Sequence, residues 1–473
     1  MNIQQFGLLA GAMLLTAAAS HAAGKPLTVH EGKAREIYAK SIAIPTSLGN
    51  AKMKEFAEYL AGEFRAAGFP GEDIHILPFK GEGDETVSLV VRYRGDGSGG
   101  KPILLMAHMD VVTANRSEWE RDPFTLIEEN GFFYGRGTYD VKQGTTALTA
   151  TFLRLKAEKF VPTRDLIIYF SGDEETEMGS VRDVVQNHRA LVDAEYALNS
   201  DGGGGTLDDD TGKALFYGLQ TAEKTYADYY VTARNAGGHS SLPRDDNAIY
   251  ELAGALTKIR AHKFPVQWND TTIASFAQAG TTQPGALGKA LSAFAAKPGD
   301  AAAAAIIEKD VGFNGQLRTT CVATMLTGGH AENALPQTAR ANVNCRIFPG
   351  VKIEDVQGKL QEIVGKSVEV SLVRPSLSSD ASPLRKDVVQ AVTRAIHKIQ
   401  PGVPIVPNQA SGATDGLVFR AAGIPTYGVD GNFIKPKDEF AHGLNERLPV
   451  KSFYDSLTYW HALLKDLAGK RGR

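Results

Sequence analysis

Hydrophobic residues along this chain follow two patterns that alternate. Between residues 51 and 68 they recur at the three- and four-residue spacing of an amphipathic helix. Near residues 103–107, 165–170 and 195–199 they form short continuous runs, which are typical of strands buried on both faces of a parallel sheet. Because helical and strand patterns take turns along the chain, the sequence predicts an α/β fold with a mostly parallel sheet.

After about residue 221 the pattern changes. Strands with alternating polar and apolar residues are predicted at 226–233, 319–326 and 338–347, and helices at 247–262 and 353–364. We interpret residues 222–375 as an α+β domain inserted into a catalytic domain made of residues 23–221 and 376–473. The Ala-, Gly- and Pro-rich residues 264–315 are expected to form a helical excursion on the inserted domain, with short helices at 286–296 and 301–309.

The first 22 residues are predicted to be a signal peptide. An apolar segment at residues 7–19 is followed by Ser20, His21 and Ala22, which fit a small-x-small cleavage site. The protein is therefore expected to be secreted, into the periplasm, and to leave the membrane once the peptide is cleaved; an uncleaved anchor is the alternative. The net charge of −3, without long basic runs, argues against nucleic acid as a partner.

Two cysteines, Cys321 and Cys345, lie at equal distances on either side of Asn333. Both fall in predicted strands, and an antiparallel pairing of those strands would bring the two side chains together. In an oxidising compartment such a pair can form a disulfide. We hypothesise this bridge; the alternative is a pair of buried free thiols.

Acidic and imidazole side chains follow the buried strands. His108 and Asp110 come directly after the first run, where the Asp could hold one ring nitrogen of a metal-binding His, although a hydrogen-bonded loop His would also fit. The other candidates share this chemistry: Asp140, Glu174, Glu175, Asp201 and His442. Nitrogen and oxygen ligands without thiolate suit zinc, manganese or cobalt, and so many carboxylates would repel one another without cations. Five ligands suffice for two metals if one carboxylate bridges them.

Six segments, taken together and in order, resemble the M20 family of co-catalytic zinc peptidases and amidohydrolases. They are residues 106–110, 135–140, 172–175, 199–201, 237–243 and 439–442. The resemblance is nearest to the carboxypeptidase S-like and N-acyl-amino-acid-cleaving branch. It implies a di-zinc exopeptidase catalytic domain with an inserted lid, which in this family often mediates dimerisation.

The resemblance also implies a role for each residue at the strand ends. His108 and Asp201 would bind one metal, Glu175 and His442 would bind the second, and Asp140 would bridge both. Asp110 would orient His108. Glu174 would be the general base that activates the attacking water.

Lid and loop residues take their implied roles from the same resemblance. His239 would stabilise the developing oxyanion, and Asn333 and Arg346 would bind a substrate carboxylate together with a loop that contains Gly412 and Thr414. Ordinary turn chemistry is the alternative for the carboxylate-binding residues. The sequence departs from the family pattern at three positions without losing a ligand: Ser240, Ser241 and Gln143.

The expected function is a secreted hydrolase with two divalent cations, zinc first, with cobalt or manganese as alternatives. It would cleave a peptide bond next to a free carboxylate, in the manner of a carboxypeptidase or dipeptidase. An N-acyl-amino-acid amidohydrolase is the alternative, and a non-catalytic binding protein on the same fold is a third reading. The expected partners are a small peptide or N-acyl amino acid and, through the lid, a second copy of the chain.

Overall fold

The computed structural model describes residues 26–81 and 85–470, so the predicted signal peptide lies outside the described residues. Nineteen strands are described: β1 (Ile74–Lys80), β2 (Glu85–Tyr93), β3 (Ile103–His108), β4 (Ile127–Glu129), β5 (Phe132–Tyr134), β6 (Leu166–Ser171), β7 (Tyr196–Asn199), β8 (Gly204–Leu207), β9 (Ala214–Glu223), β10 (Thr225–Arg234), β11 (Gly238–His239), β12 (Thr320–Gly328), β13 (Ala334–Leu335), β14 (Thr338–Ile347), β15 (Val368–Leu372), β16 (Ile405–Ala410), β17 (Thr426–Gly428), β18 (Phe433–Ile434) and β19 (Arg447–Pro449).

Fourteen α-helices are described in the same residues: α1 (Val29–Ala43), α2 (Met53–Ala66), α3 (Lys142–Ala157), α4 (Gly179–Asn187), α5 (Arg189–Val192), α6 (Ala248–Ala261), α7 (Asp270–Thr282), α8 (Gly285–Ala296), α9 (Ala301–Ile307), α10 (Val311–Asn314), α11 (Ile353–Val364), α12 (Lys386–Ile399), α13 (Gly416–Ala421) and α14 (Val450–Ala468). Within the described part of the chain, none of them has both the length and the apolar character needed to cross a bilayer.

The larger sheet has ten strands in the order β1-β2-β6-β3-β7-β17-β9-β8-β18, and β16 pairs with β9. Its centre, from β6 to β17, is parallel, whereas antiparallel pairings lie towards both edges. The predicted α/β class with a large, mostly parallel sheet is confirmed. The parallel pairing brings the carboxyl ends of β3, β6 and β7 to one edge of the sheet.

Alternate residues of the central strands enter different cores. Ile103 and Leu105 pack with the apolar faces of α1, α2, α3, α12 and α14, whereas Leu104 and Met106 pack with α4 and α13 on the opposite face. Both faces are therefore covered, which explains why the sequence of β3 is apolar throughout rather than alternating.

The smaller sheet is antiparallel, with the order β12-β14-β10-β15, and all its strands lie within the predicted insertion. Helices α6 and α11 contribute Leu252 and Leu360 to the apolar core on one of its faces. Cys321 faces Cys345 directly across the β12–β14 ladder, and the two form a disulfide.

Residues 264–315 are helical as predicted: α8 and α9 match the two predicted helices, whereas α7 and α10 were not predicted. They contain four helices, α7 to α10, with an apolar cluster of their own that includes Phe276 and Phe294. Helix α7 also packs against β16 of the large sheet, and Thr271 Oγ1 lies 2.6 Å from Thr221 Oγ1. The helical segment therefore also contacts the large sheet. Its helix α7 was missed because its sequence has little apolar periodicity, although Asn269 and Thr272 form a capping box at its start.

Candidate active site

The candidate ligands lie where the central parallel strands end. β3 ends at His108, which pairs in register with Ser171 at the end of β6. Glu174 and Glu175 follow β6 after a short turn, and Asp201 follows β7. The parallel register, together with short connections, therefore brings side chains from distant parts of the sequence to one edge of the sheet.

Two groups of three potential metal ligands share Asp140: one contains His108 and Asp201, the other Glu175 and His442. In each group the ligand atoms lie within 4.8 Å of one another. Asp140 Oδ1 is 3.0 Å from His108 Nε2, and Asp140 Oδ2 is 3.1 Å from His442 Nε2. Each oxygen of this carboxylate thus faces a different imidazole, which is the arrangement that a bridging ligand requires.

The charges of the cluster also fit cations. Burial raises the pKa of Asp201 well above its ordinary value; the charge of His108 opposes this shift, and the nearby carboxylates add to it. Burial also raises the pKa of Asp140, but the hydrogen bonds to His108 and His442 outweigh it and hold that pKa well below the usual range. Hydrogen bonds to Asp140 and Glu175 raise the pKa of His442 to about 10. The donor set, carboxylates and imidazoles that need compensating charge, fits two divalent cations.

Asp110 contacts the ring of His108 mainly through its main chain. The ring Nδ1 lies 2.9 Å from the main-chain carbonyl oxygen of Asp110, whereas the nearest side-chain oxygen, Oδ1, is 3.5 Å away. The other carboxylate oxygen accepts a hydrogen bond from the backbone amide of Glu175 at 2.9 Å. Asp110 therefore contacts two candidate ligands, His108 through its carbonyl and Glu175 through its carboxylate.

Glu174 belongs to neither ligand group, although it is adjacent to Glu175. Burial raises its pKa well above the ordinary value, and the charge of Asp201 raises it further. A buried carboxyl group with a raised pKa that lies beside the candidate ligands, without being one of them, is a candidate general base.

A buried ion pair, which the sequence did not reveal, contacts the main chain next to the cluster. Arg136 Nη1 donates to Glu446 Oε2 at 2.7 Å, and both side chains are almost completely buried. Arg136 Nη2 also donates to the carbonyl oxygen of His442 at 3.3 Å. Both residues lie in or next to segments that carry the family resemblance, but in the sequence nothing distinguishes them from surface charges.

The loop at residues 411–415 is anchored to the same edge of the sheet. Thr414 Oγ1 donates to Glu223 Oε1 at 2.6 Å and accepts from Asn199 Nδ2 at 3.1 Å, while Gly412 is exposed. Asp415 is buried beside Ser171 and hydrogen-bonds to its hydroxyl. Burial raises the pKa of Asp415 to about 8. Thr414 therefore lies close to Asp201, since Asn199 also accepts from the Asp201 amide at 3.0 Å.

The predicted lid residues lie outside the ligand cluster. Arg346 Nη1 donates to the carbonyl oxygen of Ser411 at 2.7 Å, which connects β14 to the 411–415 loop. His239 is exposed on β11, where its Nδ1 lies 2.8 Å from Ser241 Oγ, and the carbonyl of the exposed Asn333 accepts from Ser240. In the described part of the chain, no hydrogen bond or ion pair joins these three side chains to the five ligands.

Known proteins are similar to this chain in sequence and in fold. The chain is 27% identical over 394 residues to the human N-fatty-acyl-amino acid synthase/hydrolase PM20D1, covering 81% of this chain and 77% of that protein. It is 24% identical over 400 residues to a probable carboxypeptidase S-like 2 of Dictyostelium discoideum, with coverages of 80% and 74%. The M20 family metallo-carboxypeptidase Sso-CP2 of Sulfolobus solfataricus has the same fold, with a TM-score of 0.68, 17% identity, and coverages of 92% and 98%.

The family model described as peptidase family M20/M25/M40 matches residues 104–466, which include all five candidate ligands and Glu174. This confirms the resemblance that the six sequence segments indicated. The chain belongs to peptidase family M20/M25/M40.

Proposed function

We propose that this hydrolase is a co-catalytic di-metal enzyme that cleaves an amide bond next to a free carboxylate. The observation that carries the proposal is the pair of three-residue ligand groups that share Asp140, with Glu174 next to them but in neither. His108 and Asp201 would hold one cation, Glu175 and His442 the other, and Asp140 both. Zinc suits these ligands best, with cobalt or manganese as alternatives.

The cations and Glu174 would carry out different steps of the reaction. Two cations held by these residues would supply polarisation of the scissile carbonyl and would lower the pKa of a water molecule, so that it could attack near neutral pH. Glu174 would take a proton from the attacking water and return it to the nitrogen of the leaving amine. Its raised pKa supports the role of base, because a carboxylate with a raised pKa binds a proton more tightly than an ordinary one.

The substrate would lie between the cluster and the lid. Arg346 would bind its free carboxylate, a role supported by the contact of Arg346 with the 411–415 loop and by the suitability of guanidinium for carboxylates. Gly412, Thr414 and Asn333 would complete that site. His239 would stabilise the oxyanion. Because His239 is exposed on the lid, this role would require the lid to close over the cluster or a second subunit to contribute the side chain.

The proposal includes two alternative classes of substrate. The carboxypeptidase relatives favour a peptide, whereas the relative that acts on N-fatty-acyl amino acids favours an N-acyl amino acid. A binding protein without activity is the third reading. The complete ligand set and the presence of Glu174 argue against it, because a binding protein needs no general base.

Secretion and dimerisation are also part of the proposal. The disulfide between Cys321 and Cys345 supports export to an oxidising compartment such as the periplasm, which agrees with the predicted signal peptide. β12 is an edge strand of the smaller sheet. Its side chains Val322, Met325 and Leu326 have exposed fractions of 59%, 68% and 63%. Exposed apolar residues on an unpaired strand edge favour pairing with a second copy of the chain.

A Glu174→Gln variant tests the proposed function. After zinc loading, hydrolysis of dipeptides and N-acyl amino acids should fall by about 10²–10⁴-fold, while the zinc content stays near two per chain. Glu177→Gln is the matched control, because Glu177 is an exposed carboxylate on the same turn and should leave turnover intact. Full activity of Glu174→Gln would refute the role of Glu174. Absence of hydrolysis by the zinc-loaded wild type on every substrate would favour the binding protein.

A further inference from the structure

A cavity of about 370 Å³ borders the ligand cluster on the side of Asp140 and Asp201. Its volume is within the range of small-molecule sites, about 300–1,000 Å³. Among the described residues, its lining contains four carboxylates and no Lys, Arg or His; the carboxylates belong to Asp140, Asp201, Asp430 and Glu439. Asp140 and Asp201 are candidate metal ligands, so Asp430 and Glu439 would keep the cavity negative after cations bind.

Asp430 fixes the orientation of two amide side chains in the cavity wall. Its Oδ2 accepts from Gln143 Nε2 and from Asn432 Nδ2, both at 2.5 Å. Burial raises the pKa of Asp430 to about 6, so the group is mostly ionised at neutral pH. Because an ionised carboxylate only accepts hydrogen bonds, each amide must turn its NH₂ group to Asp430 and its oxygen away from it.

The amide oxygens placed in this way have no hydrogen-bond donor. Gln143 Oε1 and Asn432 Oδ1 are without a partner in the part of the chain that the structure describes, although the two residues are only 1% and 4% exposed. The same holds for Asn408 Oδ1 and Ser200 Oγ, whose residues also line the cavity. Most buried acceptors in proteins have a donor, so unpaired oxygens gathered in one cavity indicate that a ligand supplies the donors.

The rest of the lining suits the stem of a long side chain. Val141, Phe216 and Ile434 contribute apolar side chains, and the four glycines at residues 202–205 contribute main chain only. Long cationic side chains lay their alkyl stems along apolar surface and keep the charged tip in a polar environment. The cavity offers both surfaces, with the unpaired oxygens of Gln143 and Asn432 for the tip.

The cavity and the proposed carboxylate site lie at different points around Asp201. Asp201 lines the cavity and also lies close to Thr414. Along β9, Gly218 lines the cavity, whereas Glu223, which binds Thr414, follows five residues later, a separation of about 17 Å in an extended strand. A substrate whose carboxylate is bound near Thr414 would therefore direct its acyl side past Asp201 into the cavity.

We infer that the cavity around Gln143 and Asn432 binds the ammonium group of a lysine-type side chain on the acyl side of the scissile bond, and we name it the ammonium cavity. This inference rests on the proposed function and specifies the residue that supplies the acyl group. An ammonium group fits because it has three donors and no acceptor, whereas the unpaired amide oxygens only accept. Gln143 and Asn432 then act as specificity-determining residues. Gln143 is also a position at which the sequence departs from the family pattern, so that departure falls in the ammonium cavity and not among the ligands.

The test compares two blocked dipeptides, Nα-acetyl-L-lysyl-L-phenylalanine and Nα-acetyl-L-norleucyl-L-phenylalanine, with the zinc-loaded enzyme and release of phenylalanine as the readout. Norleucine has the side-chain carbons of lysine without the amino group, and the acetyl group removes the charge of the α-amino group. For the wild type, kcat/KM should be about tenfold or more higher for the lysyl compound, the effect of hydrogen bonds to a charged group. Equal values for the two compounds would overturn the inference and leave water as the occupant.

Phe216→Lys tests whether the substrate's ammonium group enters this cavity. Phe216 lines the cavity and is exposed, so the variant should fold and place an ammonium group of its own there. Repulsion between like charges should lower the lysyl-to-norleucyl ratio of kcat/KM about tenfold or more. Leu215→Lys is the matched control, since Leu215 is the adjacent exposed residue and lies outside the cavity lining. An unchanged ratio in Phe216→Lys, or an equal fall in Leu215→Lys, would overturn the inference.

Gln143→Met tests the acceptor itself. Methionine is similar to glutamine in length but has no amide oxygen, so the lysyl-to-norleucyl ratio should fall, and the loss should be larger for the lysyl compound than for the norleucyl compound. An equal loss on both compounds would mean that Gln143 only supports the fold, which would contradict its role in specificity.

A third substrate distinguishes the side-chain ammonium group from the α-ammonium group of a peptide. L-norleucyl-L-phenylalanine carries its positive charge on the α-amino group and has no charge on the side chain. The blocked lysyl compound should remain the better substrate. A preference for L-norleucyl-L-phenylalanine that Phe216→Lys abolishes would assign the cavity to the α-ammonium group and overturn the inference.

Binding separates failure of the inference from failure of the proposed function. The affinities of zinc-loaded Glu174→Gln for the blocked lysyl and norleucyl compounds can be compared by calorimetry without turnover. Tighter binding of the lysyl compound that Phe216→Lys abolishes would support the ammonium cavity even if the wild type hydrolyses nothing. Equal affinities alongside normal hydrolysis would refute the ammonium cavity and leave the proposed function standing.

Discussion

The side chain of Glu446 accepts a hydrogen bond from the backbone amide of Asp140, with 3.0 Å between Oε1 and the nitrogen. The same carboxylate accepts from the amides of Tyr139 and Gly137, at 2.7 and 3.1 Å. Arg136, which pairs with Glu446, also contacts the main chain of His442. One buried carboxylate thus holds the loop of Asp140 and, through Arg136, the loop of His442.

Replacement of Glu446 by Gln should weaken metal binding about 10–100-fold, the usual effect of losing a group that orients a ligand. A Gln side chain has one acceptor oxygen and would turn an NH₂ group towards backbone amides that are themselves donors. Zinc affinity measured by competition with a chelator checks this expectation, and the visible spectrum of the cobalt-loaded protein reports the ligand geometry.

Glu223→Gln is the control for the general cost of disturbing a buried ion pair. Glu223 Oε2 lies 2.7 Å from Arg420 Nη2, and both side chains are buried, but the residue contacts Thr414 rather than a ligand loop. Both variants should lose stability, on the order of 3 kcal/mol, when measured without metal. Equal zinc affinities in the two variants would contradict the role of Glu446.

Metal binding should release protons, and affinity should fall as the pH falls. In the metal-free protein the pKa of His442 is about 10, so its imidazole is protonated near neutral pH and must lose this proton before it can bind a cation. Each proton released weakens the affinity about tenfold for every pH unit of acidification. Zinc titrations by calorimetry in buffers with different ionisation enthalpies count the protons.

His188→Gln is the control for that titration, because His188 lies outside both ligand groups. It should release the same number of protons as the wild type. A zinc affinity that stays constant from about pH 8 to about pH 6 would contradict the protonated state of His442.

Removal of the disulfide should destabilise the lid. The bridge joins residues 24 positions apart, and a loop of this length corresponds to about 3.5 kcal/mol of lost chain entropy in the unfolded state. The double variant Cys321→Ala and Cys345→Ala should unfold at a lower temperature, and dithiothreitol should lower the wild-type transition but not that of the variant. Two free thiols in unfolded, unreduced wild-type protein would contradict the bridge.

Interruption of the exposed edge of β12 should shift the oligomeric state. Met325→Lys places a charge among the exposed apolar side chains of this strand and should yield monomers if the lid mediates dimerisation. Sedimentation velocity measures the change. Leu215→Lys, on an exposed apolar residue of β9, is the control and should stay dimeric; a monomeric wild type would refute the dimer.

The sequence alone predicted much of the fold and of the ligand set. Strands β3, β6 and β7 were recognisable because burial on both faces requires continuous apolar residues, and their ends were marked by abrupt changes to His108, Glu174 and Asp201. This information is local: it lies in the composition of a few neighbouring residues. The five predicted ligands consequently come together in the structure.

The tertiary structure decided the contacts between residues far apart in the chain. Arg136 and Glu446 are separated by 310 positions, and nothing in the local sequence of either shows that it is buried with the other. The same holds for the contact of Asp110 with the Glu175 amide and for the packing of α7 against β16. Local sequence determines which residues prefer burial, but which buried groups meet depends on closure of the whole fold. The sequence therefore determined the candidate ligands, and only the tertiary structure determined what holds these residues in place.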